Sequence, residues 1–253
     1  MTIQYCSDLH LEFTDNKAFL SNTPLQPEGD ILILAGDIIP FNQLKKADSF
    51  FDYVAANFNQ VYWLPGNHEY YGSDITQYSG SFTEAIRSNV FLLNNQTIET
   101  GNTTLVFSTL WSAISPAAEW AIASGMADYR VIQYGEHTFR PIHSNRMHQA
   151  NLLFIKQAVA NATTGNIILA THHVPTFLHY PAQYKHSVLN EGFATELFPF
   201  IEASPINYWI YGHHHANVGP FTIGSTTMLT NQLGYVKYKE EAGFNPAATI
   251  IVS

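Results

Sequence analysis

Ile31-Leu32-Ile33-Leu34-Ala35-Gly36-Asp37 is the stretch from which the fold can be read. The apolar run 31–35 has the length and composition of a strand, and it stops at a glycine and an aspartate that suit a sharp exit. Soon after, Leu44, Ala47, Phe51, Val54 and Phe58 recur at spacings of three or four, which predicts a helix over 43–58. Strand then helix is one unit of an α/β fold. Similar short runs stand at 2–6, 60–64, 104–107, 166–171, 208–211, 226–230 and 248–252. A further helix is predicted with Ser144 as its cap and a face of Met147, Ala150, Leu153, Phe154 and Ala158, ending before Gly165. From Tyr208 onward the runs follow one another without a clear helix. A mixed sheet or a second sheet is therefore favoured over one purely parallel sheet.

No Pro/Gly/Ser-rich linker or charge block divides the 253 residues, so one domain spanning 1–253 is expected. Charged residues are only 12% of the chain, and 20 acidic against 11 basic residues leave a formal charge of -9. A Lys/Arg stripe able to displace counterions from a nucleic-acid backbone is missing, so nucleic acid is disfavoured as a partner. Cys6 is the single cysteine, which excludes an intrachain disulfide and a thiolate metal cluster. With no apolar run of membrane-spanning length and no leader pattern at the N-terminus, no membrane partner is expected and a cytoplasmic protein is the default. Oligomeric state has no signature in the sequence.

Polar clusters follow the predicted strands in a regular way. Asp8-Leu9-His10 follows the first, Gly36-Asp37 the second and Gly66-Asn67-His68-Glu69 the third; His172 follows the strand at 166–171, and Gly212-His213-His214-His215 the strand at 208–211. Singly, several of these are bland: Asp-x-His is often a turn with an exposed imidazole, and Asp37 could be an Asx turn or a helix cap. The triple histidine is harder to explain as packing, and alternate side chains in it suit ligation. Carboxyl ends of strands in an open α/β sheet are where loops converge, so side chains distant in sequence can meet around one point. Independent turns have no reason to occur in this order at successive strand ends.

The order and wording of these blocks resemble the calcineurin-like metallophosphoesterase family, and the strings Asp8-Leu9-His10-Leu11-Glu12-Phe13, Thr109-Leu110-Trp111, Asp128-Tyr129-Arg130 and Gly234-Tyr235 resemble a bacterial subgroup of it. The resemblance implies an α/β sandwich of two mixed β-sheets flanked by helices, four layers in all. It also implies two divalent metal ions. Asp8, His10, Asp37 and His215 would hold one; Asp37, Asn67, His172 and His213 would hold the other. Asp37 would bridge the two, and His68 would face the phosphate without binding metal. The implied activity is a phosphohydrolase that cleaves a phosphate ester, either a monoester or a small diester or nucleotide, with a hydroxide held between the metals.

Electrostatics gives the bridging position its weight. Two divalent ions about 4 Å apart repel by roughly 16 kcal/mol at an effective dielectric near 20, so the pair persists only with shared anionic ligands. Oxygen and nitrogen ligands without sulfur suit manganese, iron, zinc, cobalt or nickel. Asn67, His68 and Arg130 are the candidate substrate contacts. Arg87 could also grip a phosphate, although an ion pair is the better reading for either arginine, and Tyr70 and Tyr71 either line the pocket or pack. His173 and His214 adjoin ligands and could orient them or contact substrate. Segments 112–143 and 176–196, rich in aromatics and histidine, are expected to cover the site. A nuclease and a non-catalytic interaction module on the same fold are the rival readings; an unliganded His68 argues against the second.

Overall fold

The computed structural model describes residues 1–252. Its strands are β1 (Thr2–Cys6), β2 (Ile31–Ala35), β3 (Gln60–Leu64), β4 (Phe82–Arg87), β5 (Val90–Asn94), β6 (Gln96–Thr100), β7 (Thr103–Ser108), β8 (Gln133–Tyr134), β9 (His137–Thr138), β10 (Asn166–Thr171), β11 (Tyr208–Tyr211), β12 (Phe221–Ile223), β13 (Thr226–Thr230) and β14 (Thr249–Ile251). The α-helices are α1 (Thr14–Asn22), α2 (Asp48–Asn57), α3 (Glu119–Gly125), α4 (Asp128–Val131), α5 (Pro141–Asn161), α6 (Asn190–Phe193) and α7 (Phe198–Ala203). Two six-stranded mixed sheets form, in the orders β14-β1-β2-β3-β5-β4 and β12-β13-β11-β10-β7-β6, with β8 and β9 a separate ribbon.

Strand composition explains the layering. Along β2, Ile31, Ile33 and Ala35 enter the cluster between the two sheets, while Leu32 and Leu34 pack with Phe51 and Val54 of α2 on the outer side. In the second sheet, Ile168 and Ala170 of β10 point into the sandwich, and Ile167 and Leu169 meet Ile155 and Val159 of α5 and Ile201 of α7. A strand covered on both faces must be apolar without alternation, which is why these runs look continuous in the sequence. Each fully buried aliphatic or aromatic side chain of this kind contributes about 1.5–3 kcal/mol. The result is helices, sheet, sheet, helices, the architecture that the family resemblance implies.

Two helix expectations need correction. The segment 43–58 is not one helix but a 3-10 turn, Phe41–Ala47, followed by α2, with the break at Ala47. The apolar spacing is as read, since Ala47, Phe51, Val54 and Phe58 are all buried. In α5, Ser144 lies inside the helix and donates its hydroxyl to Ser112 O at 3.0 Å, while Arg140 occupies the cap position. Ser144, His148, Asn151, Ile155 and Val159 form its inward face, and Leu153 is exposed. Three polar residues on that face hid its period.

Register brings the strand ends to one level. Cys6 pairs with Leu34 across β1 and β2, and Ala35 pairs with Leu64 across β2 and β3, so Asp8, Asp37 and Asn67 leave the first sheet side by side. Ala170 pairs with Ile210 across β10 and β11, which does the same for His172 and His213 in the second sheet. A lone bridge between Ser7 and Gln232 ties the sheets together at this edge.

Candidate metal centre

All seven side chains read from the sequence as ligands collect where the two sheets open. Asp8, His10, Asp37 and His215 offer ligand atoms that all lie within 4.8 Å of one another, and Asp37, His172 and His213 form a second such group. Asn67 joins the latter through Oδ1, 3.1 Å from His172 Nε2. Asp37 belongs to both groups. The clusters are buried, with Asp8, His10 and His172 fully so and Asp37 at 2% exposed.

The backbone is bent to achieve this. Asp8 (φ 56°), His10 (φ 46°), Asp37 (φ 56°), His213 (φ 81°) and His215 (φ 50°) all sit in the left-handed region. Residues with a side chain rarely adopt it, at of order 1–3 kcal/mol each, and they persist there only when the surroundings hold them. Here the surroundings are visible. His213 N donates to Asp8 Oδ1 at 3.1 Å, His68 N to Asp37 Oδ1 at 2.9 Å, and Asp8 N to Gly36 O at 2.9 Å. Gly36 and Gly66 are required by closeness: a Cβ on either would overlap the His172 ring.

Glu69 is the clamp beneath the site, a role the sequence reading did not assign. It is fully buried and takes four N–H donors, from Asp37 N (2.9 Å), Ile38 N (2.7 Å), Gly66 N (2.7 Å) and Trp63 Nε1 (3.1 Å). Burial, with Asp37 nearby, pushes its carboxyl up to about 8. Both oxygens are nevertheless filled by donors, which leaves no room for a proton and favours the carboxylate.

Hydrogen bonding sets which nitrogen each imidazole presents. His172 Nδ1 donates to Ala35 O at 2.9 Å, since a carbonyl can only accept, and its Nε2 lone pair therefore faces the cluster. His215 Nδ1 is 2.6 Å from Glu240 Oε2 and His10 Nδ1 is 3.2 Å from Glu12 Oε1, which turns both Nε2 atoms inward. Those two Nε2 atoms are 3.0 Å apart. Asp8 Oδ1 lies 3.3 Å from His215 Nε2, and Asp37 Oδ1 lies 3.4 Å from His172 Nε2. Lone pairs and carboxylates at this density call for positive charge between them.

The proton affinities say the same. Burial disfavours an imidazolium at His172 and His215, yet Asp37 and Asp8 outweigh it and push them up to about 9 and about 10. Burial also works against the charged forms of Asp37 and Asp8, and the surrounding imidazoles still hold both carboxyls below their ordinary range. Divalent cations would supply the same charge on a donor set of carboxylate, amide oxygen and imidazole, without a sulfur, so the residues present fit the two metal ions that the family implies.

His68 stands beside the clusters without joining either group that shares Asp37. Its Nδ1 is 3.0 Å from Glu12 Oε1, its Nε2 is 3.1 Å from Tyr235 Oη, and its ring stacks on Tyr71 with centroids 4.0 Å apart. Burial opposes its protonation, but Asp37 and Glu12 raise it above the ordinary histidine value. Glu12 thus orients a candidate ligand and the unliganded imidazole with a single oxygen. Glu12, Tyr235 and Glu240 went unassigned in the sequence reading; the only signal for Glu12 and Tyr235 was the wording of the subgroup strings, and Glu240 had none. Asp128, in another of those strings, accepts from Asn67 Nδ2 at 2.9 Å and from Tyr71 Oη at 2.6 Å, which fixes the face that Asn67 turns to His172.

Other candidates fall elsewhere. Arg130 is exposed, donates to Ser124 O at 2.7 Å and is not part of the cavity lining, so the expectation of a phosphate contact there is corrected. Arg87 is an ion-pair residue, 2.9 Å from Asp48 and 2.7 Å from Asp52. Tyr70 is buried packing and Tyr71 lines the cavity. His214 turns to Gln232, and His173 packs between Trp111 and His213. A cavity of about 360 Å³ opens over the centre, walled by Met126 and Asp128 from 112–143 and by Tyr180, Tyr184, Leu189 and Phe193 from 176–196.

Comparison with known proteins agrees with this geometry. An uncharacterized protein, L509, of Acanthamoeba polyphaga mimivirus is 31% identical over 274 residues, covering 98% of this chain and 95% of its own. Among solved structures, the phosphopantetheinyl hydrolase PptH of Mycobacterium tuberculosis superposes with a TM-score of 0.71 over 100% of this chain and 96% of that one, at 17% identity, which is a likeness of fold. A calcineurin-like phosphoesterase family model matches residues 1–217. The chain accordingly belongs to the calcineurin-like phosphoesterase family and is a hydrolase of the metallophosphoesterase type.

Proposed function

We propose that this protein hydrolyses a small phosphate ester, monoester or diester, at a centre of two divalent cations. Asp8, His10, Asp37 and His215 hold one, and Asp37, Asn67, His172 and His213 hold the other. The observation that carries this reading is the pair of ligand groups meeting at Asp37, with the His68 imidazole outside both and held by Glu12 beside them. When bound, the cations polarise a phosphoryl oxygen and lower the pKa of water. Asp8 and Asp37 supply the negative charge that lets two such ions stay close, and manganese, iron, zinc, cobalt and nickel all suit the donors.

The chain's own part in the chemistry centres on His68. Held by Glu12 at Nδ1, it presents Nε2 toward the cavity side with Tyr235 Oη as its partner, and from there donates a proton or hydrogen bond to the departing or equatorial oxygen. Left-handed backbone at the ligands keeps the donors in place before substrate arrives, so little reorganisation is left to the reaction. A substrate of small size follows from a cavity of about 360 Å³ and from a lining without lysine or arginine, which also speaks against a nucleic-acid chain. A cytoplasmic location belongs to the same proposal. The lone cysteine, buried at Cys6, needs no oxidising compartment.

The test is elemental analysis of the purified protein with turnover of a generic aryl phosphate and its methyl diester in added manganese. About two metal equivalents with turnover of either ester is the expected result. Bound metal without hydrolysis of any ester would overturn the reading.

A further inference from the structure

The cavity wall carries one acidic side chain that the metal centre does not exhaust. Asp128 is 1% exposed and lines the cavity. Its Oδ1 already accepts from Tyr71 Oη and Asn67 Nδ2, whereas its Oδ2 is buried with no partner in the protein. Glu240, the other carboxylate of the wall, is partly exposed and anchored through Oε2 to His215 Nδ1 at 2.6 Å and Tyr235 N at 2.8 Å, so it lacks the buried, unpartnered oxygen of Asp128. The rest of the wall away from the ligands is mainly apolar or aromatic, with Met126, Tyr180, Tyr184, Leu189 and Phe193. Its polar side chains Ser187 and Asn190 are engaged locally, Ser187 Oγ accepting from Leu189 N at 3.2 Å and Asn190 Nδ2 donating to Tyr184 O at 2.6 Å. Among the described residues of the lining there is no lysine or arginine to meet an anion away from the metal ligands.

We infer that Asp128 is a specificity-determining residue that reads the leaving group: the substrate's organic part is otherwise apolar, carries an O–H or N–H donor for Oδ2, and bears no second anionic group. This rests on the proposed phosphohydrolase activity. A buried acceptor left without a donor is costly, and a site built to hydrogen-bond its substrate rejects an analogue lacking the donor more sharply than an apolar pocket rejects a misfit. A second phosphate or a carboxylate would meet no cation on this wall and would face a like charge. Nucleoside diphosphates and bisphosphates are therefore excluded, and uncharged hydroxyl- or amide-bearing leaving groups are favoured.

The experiment compares three aryl phosphates of one frame, substituted in the meta position with methyl, hydroxymethyl or carboxymethyl, on the manganese-loaded enzyme. They are used as monoesters or methyl diesters, whichever class turns over faster. For wild type, kcat/KM is expected to run hydroxymethyl, methyl, carboxymethyl, with the extremes separated by about 100-fold. Asp128→Asn keeps an oxygen for Tyr71 and Asn67 but puts an amide N–H2 in place of Oδ2. The variant-to-wild-type ratio, which cancels leaving-group reactivity, should then be at least about tenfold larger for the carboxymethyl than for the hydroxymethyl ester. One common factor for all three esters would overturn the inference and leave Asp128 as a support for Asn67. Should the variant fail to fold, wild type decides alone: equal rates on the carboxymethyl and hydroxymethyl esters would overturn it. No turnover of any ester by metal-loaded wild type would remove the phosphohydrolase reading itself, and this inference with it.

Discussion

The metal centre and the wall of the cavity above it are built on opposite physical terms. In the centre, five candidate ligands hold left-handed backbone, and Glu69 gathers four N–H donors beneath them. In the wall, α3, α4 and α6 are seven residues or fewer, and Tyr184 is 42% exposed. The centre is held by many simultaneous hydrogen bonds and cannot shift without losing several of them. The wall rests on side chains packed close over backbone, Leu189 over Gly125 and Met126 over Gly192, where a Cβ on either glycine would overlap them. Under the proposed activity, one region answers to chemistry shared by any phosphate ester, and the other to the shape of the substrate's organic part. Substitutions should separate the two.

Asp37→Asn should have the largest effect. It removes the charge that both ligand groups share, so both metal equivalents and all turnover should be lost. Full metal content by elemental analysis would deny Asp37 its bridging place. His68→Ala should spare the metals and slow turnover by about 10²- to 10⁴-fold, as for loss of a general acid or a comparable donor. Unchanged kcat would strip His68 of its role, and metal loss would mean that it is a ligand after all.

Glu69→Gln sharpens the comparison from below. A glutamine amide at this position sets an N–H2 against two N–H donors, and each buried donor left unsatisfied costs about 1–3 kcal/mol. Denaturant unfolding should show a loss of that order, with weakened metal retention, although Glu69 is not among the ligand groups. An unfolding midpoint equal to wild type would show that the clamp is not what holds the strained backbone.

The same contrast explains what the sequence made legible. Strands β1, β2, β3, β10, β11 and β13 have the bounds read from their apolar runs, because strands buried on both faces declare themselves locally. The candidate ligands were legible because each follows such a strand. Strands β4 to β6 were not read: Phe82–Arg87 and Gln96–Thr100 are half exposed and carry Thr and Glu. Nor could a local pattern tell that the chain changes sheets between β5 and β6, at the left-handed Asn95. Glu12, Glu69, Asp128 and Glu240 act through partners up to 61 residues away, as with Asp128 and Asn67. A lone carboxylate in a sequence does not state which imidazole it will orient. Arg130 shows the converse, a cation that looked ready for phosphate and is turned to Ser124 O.

The smallest effect belongs to the wall. Tyr184 lines the cavity at 42% exposure, at the end of the 3-10 turn Ala182–Tyr184, and its backbone carbonyl accepts from Asn190 Nδ2 at 2.6 Å. Tyr184→Ala keeps that backbone contact and removes only the ring. Because the ring is half in water already, stability should change by less than about 1 kcal/mol. The ring's contact with substrate is the same in the ground and transition states, so KM should rise by about 3- to 10-fold while kcat and metal content stay near wild type. A matching drop in kcat would mean that the wall takes part in the transition state, and the division between a rigid chemical centre and a shape-selecting wall would fail. An unchanged KM on every ester tested would instead place the substrate's organic part along Met126 and Phe193, away from Tyr184.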